Sequence, residues 1–312
     1  MLDIVTIQNR KIGLGQPVFI IAEIGVNHNG DPSTGRRMVE VAAGVGVDAV
    51  KFQAFKAERL VAPDAPKAAY QIETTGEIES QMDMLRRLEL PDEAYPELMK
   101  FCRDQGVIFM CTPFDENSAD FLETLGTEVF KISSGEITNL AFLAHVARKS
   151  RPLIVSTGMA DLSEVAAAVE TIRANGDPPL VLLHCVSNYP ADPADANLQA
   201  MHTMAAKFNA PVGYSDHTVG IEVSLAAVAL GACVIEKHFT LARADGGVDS
   251  AFSLEPQEMR SLVTETERAW QSLGKVRYGP SESEMRSMVF RRSIYISEDI
   301  KAGEVLTTEN LR

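Results

Sequence analysis

Eight short apolar, β-branched runs recur along the chain, and nearly every one is followed by a polar motif and then by a stretch with helix signals. The runs are Val18–Ala22, Ala49–Phe52, Val107–Cys111, Val129–Ile132, Leu153–Val155, Leu180–Leu183, Pro211–Gly213 and Cys233–Ile235. Continuous runs of this kind mark strands buried on both faces, as in a parallel sheet covered by helices. Asp31-Pro32-Ser33 opens a helix that continues through Arg36, Met38, Val39 and Val41–Ala43. Leu162-Ser163-Glu164 opens a second, through Val165, Ala168, Val169 and Ile172. A third, rich in Ala and Leu, runs from near Gly220 to Gly231. Eight strand–helix units predict an α/β fold of the TIM (β/α)8 barrel type. A doubly wound open sheet is the alternative, but no GxGxxG follows the first run.

Two regions stand outside this alternation. Between Phe55 and Leu90 lies a segment too long for an ordinary strand-to-helix loop, and long loops at a catalytic face contact or cover substrate. After Trp270 the alternation stops. Gly274 to Glu284 reads as a Gly/Ser/Pro-containing connector, and Arg291 to Arg312 starts a new β-rich segment with a turn at Lys301-Ala302-Gly303. The expected organisation is therefore a barrel over 1–273, a linker over 274–290 and a partial domain over 291–312, too short to fold by itself.

Composition narrows the partners. A formal net charge of −14 argues against a nucleic-acid ligand and obliges any anion site to gather its own local cations. The four cysteines, Cys102, Cys111, Cys185 and Cys233, form no CxxC pair, which suits a reducing compartment and argues against a zinc ribbon or disulfide framework. No apolar stretch approaches the ~20 residues of a membrane span. The start, MLDIVTIQNRK, lacks the order of a signal peptide. A cytoplasmic protein with no membrane partner is expected.

The polar motifs fall where the strands end. They are Glu23 with Asn27-His28, Lys51 with Gln53, Thr112 to Asp115, Lys131 with Ser133 to Glu136, Ser156-Thr157-Gly158, His184, Ser215-Asp216-His217 and Glu236-Lys237-His238. In a TIM barrel these ends meet at one face, where the active site sits. Lys51 and Lys131, each flanked by apolar residues, need partner anions. With Ser133, Ser134, Ser156 and the amides of Gly135 and Gly158, they can hold a phosphate and a carboxylate together. The structural alternative pairs them with Glu23 or Glu136 as internal salt bridges. His217 and His238, with Asp216 and Glu236 nearby, leave most of a metal's coordination sphere to water and substrate, as a Lewis-acid site requires. Such a site suits Mn2+, Fe2+, Co2+ or Zn2+, and spacing does not choose among them. His28 and His184 are further candidates. His145 and His202 lie in helix-like stretches and read as surface or core residues.

The motifs FIIAEIGVNHNGD (Phe19–Asp31), VKFQAFKAERLV (Val50–Val61), CTPFD (Cys111–Asp115), FKISSGEITN (Phe130–Asn139), STGMA (Ser156–Ala160), LLHCVSNYP (Leu182–Pro190), GYSDHTVG (Gly213–Gly220) and IEKHFT (Ile235–Thr240) occur in this order. In them the chain resembles the sialic acid synthase family, which makes N-acetylneuraminate, legionaminate and pseudaminate. The resemblance implies a TIM barrel followed by a β-rich domain similar to type III antifreeze protein, the SAF domain. RRSIYISEDIKAGEVLTTENL looks like its beginning. It implies a homodimer in which that domain is swapped across the partner's active site and places an arginine near the N-acyl group. No residue of the 312 matches that arginine.

By the same resemblance, Lys51, Lys131, Ser134, Ser156 and Ser215 contact phosphoenolpyruvate, with Thr112 and Ser187 as further candidates. His217 and His238 hold a divalent metal, Mn2+ first and Mg2+ or Co2+ as alternatives. Glu23, Gln53, Tyr189 and Asp249 orient the open-chain amino sugar, and Glu136 stands near the reacting carbonyl. Cys185-Val186-Ser187-Asn188-Tyr189 departs from the family pattern by a shifted Asn, which leaves Ser187 and Asn188 without settled roles. The implied reaction joins phosphoenolpyruvate to an acylated amino sugar and releases phosphate, with Glu23 or Glu136 moving protons. The rivals are an aldolase or another phosphoenolpyruvate-dependent synthase, which would need an additional basic cluster near Asp249, and a silent sugar-binding relative. Around Asp249, DSAFSLEP is similar to pseudaminate synthases. NHNGD and VKFQAFKAERLV favour the neuraminate and legionaminate branch.

Overall fold

The structure is a computed structural model and describes residues 4–76 and 78–312. Eight parallel strands close into a barrel: β3 (Phe19–Gly25), β4 (Ala49–Ala54), β5 (Ile108–Pro113), β6 (Phe130–Ile132), β7 (Leu153–Ser156), β8 (Leu180–Cys185), β9 (Val212–Asp216) and β10 (Val234–His238). They follow one another around the ring in chain order. β10 closes the ring on β3, with His238 in register with Glu23. Each of the eight predicted runs is one barrel strand. The strands extend past the apolar runs to include Gln53, Thr112, His184, Ser215 and Glu236–His238.

A short antiparallel hairpin, β1 (Val5–Ile7) and β2 (Arg10–Ile12), precedes the barrel. Sequence reading assigned no element there, because three-residue strands carry too little pattern to register. Its Val5, Ile7 and Ile12 pack with Phe19, Ile108 and Val234 into a core that plugs the N-terminal end of the barrel. The side-chain period of two explains the rest. Ile20, Ala22, Val50 and Phe52 face the helices, while Phe19, Ile21 and Ala49 face inward. Continuing the inward set by two-residue steps reaches Glu23, Lys51 and Gln53.

The helices are α1 (Pro32–Val45), α2 (Ala57–Leu60), α3 (Ala69–Thr75), α4 (Gln81–Leu88), α5 (Ala94–Gln105), α6 (Glu116–Thr124), α7 (Leu140–Ala147), α8 (Leu162–Ala174), α9 (Ala200–Phe208), α10 (Glu222–Ala229) and α11 (Pro256–Leu273). The predicted helix starts are capped. Asp31 accepts from the amides of Ser33 and Thr34, and Asp161 from those of Ser163 and Glu164. The long segment after β4 is not a loop but carries α2, α3 and α4. Its Met82, Met84, Leu85 and Leu88 form a small core with Val26, Phe55 and Val248. Among the described residues no helix is long and apolar enough to cross a membrane.

Residues 1–273 and 274–312 are two compact units. In the second, Ser283–Phe290 winds into 3-10 turns, and Ile296 and Leu311 form an isolated antiparallel bridge.

Candidate active site

The inward side chains at the C-terminal ends of the strands surround a cavity of about 190 Å3. Its floor is ionic. The Lys51 ammonium lies 3.0 Å from Glu236 Oε1 and 3.3 Å from Glu23 Oε2. Lys131 Nζ donates to Ser156 Oγ at 2.7 Å and lies 3.4 Å from the same Glu236 oxygen, to which Ser215 Oγ donates at 3.0 Å. Gln53 Nε2 donates to Glu23 Oε1 at 3.0 Å. The two lysines and two glutamates are each no more than 5% exposed.

Burial and mutual charge sort their protonation. Burial works against the Lys51 ammonium, but the Glu23 and Glu236 carboxylates outweigh it and raise its pKa above the ordinary lysine value. Lys131 has less compensation, and burial with the repulsion of Lys51 brings it down to about 8. Burial also opposes charge on Glu236, yet Lys131 and Lys51 hold its carboxyl down at about 2. Glu23, buried and facing the Glu236 charge, is pushed up to about 7 despite Lys51. Asp249 is raised to about 7 by burial and by Glu23. Glu236 is thus firmly ionised, and Glu23 and Asp249 exchange protons near neutrality.

His217 and His238 stand at the rim with ring centroids 5.6 Å apart. His217 Nδ1 is 2.7 Å from the Val186 carbonyl, which requires Nδ1 to carry the proton and leaves Nε2 as a lone pair. Burial lowers the pKa of both rings, strongly for His238, whose Nδ1 has no hydrogen-bond partner among the described residues and lies 3.6 Å from Asp249 Oδ2. Neutral, buried imidazoles with a lone pair or an unpaired nitrogen are the donors a borderline divalent metal takes. Among the described residues no group of three or more His, Cys, Asp or Glu converges as a complete metal cage. The donor chemistry fits a metal held by two imidazoles, with its other positions left to substrate and water.

Aromatic rings continue from the histidines. Tyr189 lies 4.4 Å from His217 and 5.3 Å from Tyr70 between centroids, and Phe252 lies 5.0 Å from His238. Thr112, Ser134, Tyr189, Ser215 and Asp249 line the cavity with the residues above. Of the five buried side-chain polar atoms without a hydrogen bond among the described residues, four belong to residues that line this cavity: Glu23 Oε2, which keeps only its ion pair with Lys51, Thr112 Oγ1, Glu236 Oε2 and His238 Nδ1. Buried polar atoms are otherwise nearly always paired, so this concentration marks a site built for a polar ligand.

Five candidate residues lie outside this cavity. Glu136 does not line the cavity. The 3-10 turn Ser134–Glu136 carries the chain away from β6 first, and its carboxylate accepts from Asn139 Nδ2 at 2.8 Å. The lysines' second carboxylate is Glu236. The signal for it was present, because Val234, Glu236 and His238 follow the inward period of two. Ser187 lies 3.2 Å from Ser134 Oγ and lines a neighbouring cavity of about 670 Å3 with His184. His28 is buried, and its Nδ1 accepts from the Gly30 amide away from the cavity. Asp216 points outward, where it pairs with Lys237 at 2.8 Å. His145 meets Asp120, and His202 meets Gln199 and the Leu230 carbonyl, on exposed helices.

Residues 38–278 match the NeuB family. The N,N'-diacetyllegionaminic acid synthases of Legionella pneumophila and Campylobacter jejuni are 47% and 46% identical to the chain. The first alignment covers 97% of this chain and 88% of that protein; the second covers 94% and 89%. The chain belongs to the NeuB family. A sialic acid synthetase structure from Leptospira borgpetersenii, in complex with citrate, superimposes with a TM-score of 0.82 at 38% identity, over 93% of this chain and 97% of that one. The NeuB family comprises metal-dependent synthases that condense phosphoenolpyruvate with sugars, which accords with a cavity holding two lysines beneath two neutral histidines.

Proposed function

We propose that this NeuB-family chain condenses phosphoenolpyruvate with an N-acylated mannosamine-type sugar and releases a nonulosonate and inorganic phosphate. The legionaminate branch is favoured over the neuraminate branch. The observation that carries the reading is the set of unpartnered polar atoms around Lys51 and Lys131 at the barrel's C-terminal end. Lys51 and Lys131 share the Glu236 carboxylate, and a phosphate and a carboxylate bound above them would complete the pairing of both ammonium groups. Ser134 and Ser156 add hydroxyl donors, Thr112 an unpaired one, and Ser215 holds the Glu236 carboxylate beneath them.

The chemistry this arrangement supports runs as follows. C3 of phosphoenolpyruvate bonds to the aldehyde carbon of the open-chain sugar, charge develops at C2, water adds there, and C–O cleavage releases phosphate. Lys51 and Lys131 fix the phosphate and carboxylate throughout, so the developing charge meets preorganised groups. Glu23, with a pKa near 7, exchanges a proton with the sugar oxygen or the attacking water. Glu23, in the cavity, is preferred for this role over Glu136, whose carboxylate accepts from Asn139. Gln53 holds Glu23, and Asp249 and Tyr189 face the sugar's hydroxyl and amide groups. His217 and His238 would hold a divalent metal, Mn2+ by preference, which supplies Lewis-acid polarisation of the aldehyde.

The second unit is read as the opening part of an antifreeze-like domain that packs on the partner of a cytoplasmic homodimer. Ile294, Tyr295 and Val305 are left exposed within it, which supports a role in packing against another surface. The reading is tested by offering N-acetylmannosamine and the diacetamido-trideoxyhexose acceptors with phosphoenolpyruvate and Mn2+, and measuring phosphate. Phosphate release with one of them is expected, and its loss in His217→Ala and His238→Ala. No release with any acceptor, or undiminished release in both variants, overturns it.

A further inference from the structure

Behind the two histidines, on the helix side of the barrel, lies a buried ionic cluster that takes no part in the cavity. Asp216 and Lys237 are register partners at the C-terminal ends of β9 and β10, immediately before His217 and His238 in the chain. Ser215 and Glu236, one step earlier, line the cavity, so the strand alternation turns Asp216 and Lys237 away from it and toward α10. Each is 1% exposed, and their charged groups lie 2.8 Å apart. Two residues earlier on the same outward faces, Tyr214 and Ile235 belong to the apolar layer under the helices.

The bonds of this cluster converge on the backbone around His217. Asp216 Oδ1 accepts from the Thr218 amide at 2.9 Å and from Thr218 Oγ1 at 2.7 Å, and Oδ2 accepts from Ser224 Oγ of α10 at 2.6 Å. Lys237 Nζ donates to the Thr218 carbonyl at 2.7 Å. Lys237 therefore holds the residues on both sides of His217, one through its side chain and one through its carbonyl, and is itself bonded in the chain to His238. The His217 carbonyl accepts from the Ala191 amide at 3.0 Å, and its ring is oriented by the Val186 carbonyl. A buried ion pair forfeits the hydration of both charges and adds little stability over apolar packing of the same size. What it supplies here is a fixed geometry between two strand ends.

We propose that Asp216 and Lys237 are positioning residues that clamp the ends of β9 and β10 and so hold the His217 and His238 rings in the mutual arrangement a divalent metal needs. The inference rests on the reading of those histidines as metal donors and adds the groups behind them. Asp216 and Lys237 face the helices and touch neither substrate nor metal. Two imidazoles bind one ion only if their lone pairs meet at a common point, and groups that orient such ligands contribute to affinity without contacting the ion. Neutralising Asp216 leaves Lys237 buried without its anion, and the hold on Thr218 and on the His217 backbone loosens. The anion floor of Lys51, Lys131 and Glu236 is tied together by its own contacts and does not depend on the clamp.

The test measures Kd for Mn2+ from the electron paramagnetic resonance signal of the free ion, and Kd for phosphoenolpyruvate in the metal-free protein by calorimetry. Both are measured in the unaltered 312-residue chain and in the near-isosteric Asp216→Asn and Lys237→Met. Each variant should weaken Mn2+ binding by about tenfold or more while Kd for phosphoenolpyruvate stays within about twofold. Ile7→Ala, which opens a hole at the far end of the barrel, should lower Tm yet leave Kd for Mn2+ within about twofold, so lost stability alone does not imitate the effect. If the charge variants fail to fold by circular dichroism, Ser224→Ala decides. It removes one bond to Asp216 from α10 and should weaken Mn2+ binding by about threefold or more. An unchanged Kd for Mn2+ in the folded variants overturns the inference, as does an equal weakening in Ile7→Ala or an equal loss of phosphoenolpyruvate affinity. No Mn2+ binding by the unaltered chain removes the metal reading itself and the inference with it, a separate outcome.

Discussion

The two halves of the barrel interior are built on the same strands with opposite chemistry. In the N-terminal half, Phe19, Ile21, Ala49, Val129 and Val234 meet the hairpin side chains Val5, Ile7 and Ile12 in an apolar core. Two residues further along the same strands, the inward positions become Glu23, Lys51, Lys131 and Glu236, which pair only incompletely. The lower half is packed for stability, and its apolar atoms need no ligand. The upper half keeps charges out of water and leaves some of their bonds unmade, a strained arrangement that persists because the layer beneath holds the strands rigid.

Removing a charge from the upper half should have the largest effect. Lys51→Ala leaves Glu23 and Glu236 without their shared cation, so a loss of about 3–5 kcal/mol in urea unfolding is expected, together with loss of phosphate release. Retained turnover would break the contrast between a packing layer and a chemical layer. Ile7→Ala opens a hole in the plug and should cost about 2–5 kcal/mol by the same measurement, while the unfolded fraction alone accounts for any lost activity. At Gly213 a Cβ would stand 2.5 Å from the Val234 carbonyl oxygen and 2.7 Å from Leu183. Gly213→Ala therefore overpacks the boundary between the halves and should lower stability by about 1–3 kcal/mol, read as a drop in Tm.

The smallest effect concerns pH and sharpens the picture of the upper half. Lys131 has a folded pKa lowered to about 8 from an ordinary 10.5. Between those values the unfolded chain holds the proton and the folded chain does not, so this group's contribution to stability rises with pH there. Anion binding has the opposite sign. It needs the ammonium, so KM for phosphoenolpyruvate should rise by up to about tenfold per pH unit above 8. Lys131→Arg, cationic at every accessible pH, should flatten that rise if it binds the anion. An identical profile in both proteins would remove Lys131 from anion binding.

Much of this was legible in the chain. Apolar runs such as Leu153–Val155 and Leu180–Leu183 announced buried strands, and Asp31 and Asp161 announced helix starts, because these signals are local. Lys51, Lys131, His217 and His238 stood out as ionisable residues at strand ends. The hairpin escaped notice because strands such as Val5–Ile7 are recognisable only by what they plug. The segment after Phe55 looked like a loop because α2 and α3 are short and its apolar residues face one another across it. Glu136 was one of two carboxylates open to the lysines, with Glu23, yet it does not line the cavity and its carboxylate accepts from Asn139.

By itself, then, the sequence determined that eight strands alternate with helices and that their polar residues gather at one end, since burial and propensity act over a few residues at a time. The tertiary structure alone decided which of those residues meet. Glu236 reaches Lys51 and Lys131 because β10 closes the ring on β3 with His238 beside Glu23. Met84, Leu85 and Leu88 meet Val26 and Val248 because α4 packs against the segments that follow β3 and β10. Both depend on register and closure between segments distant in the chain, and no local pattern records which side of a closed ring a side chain will face.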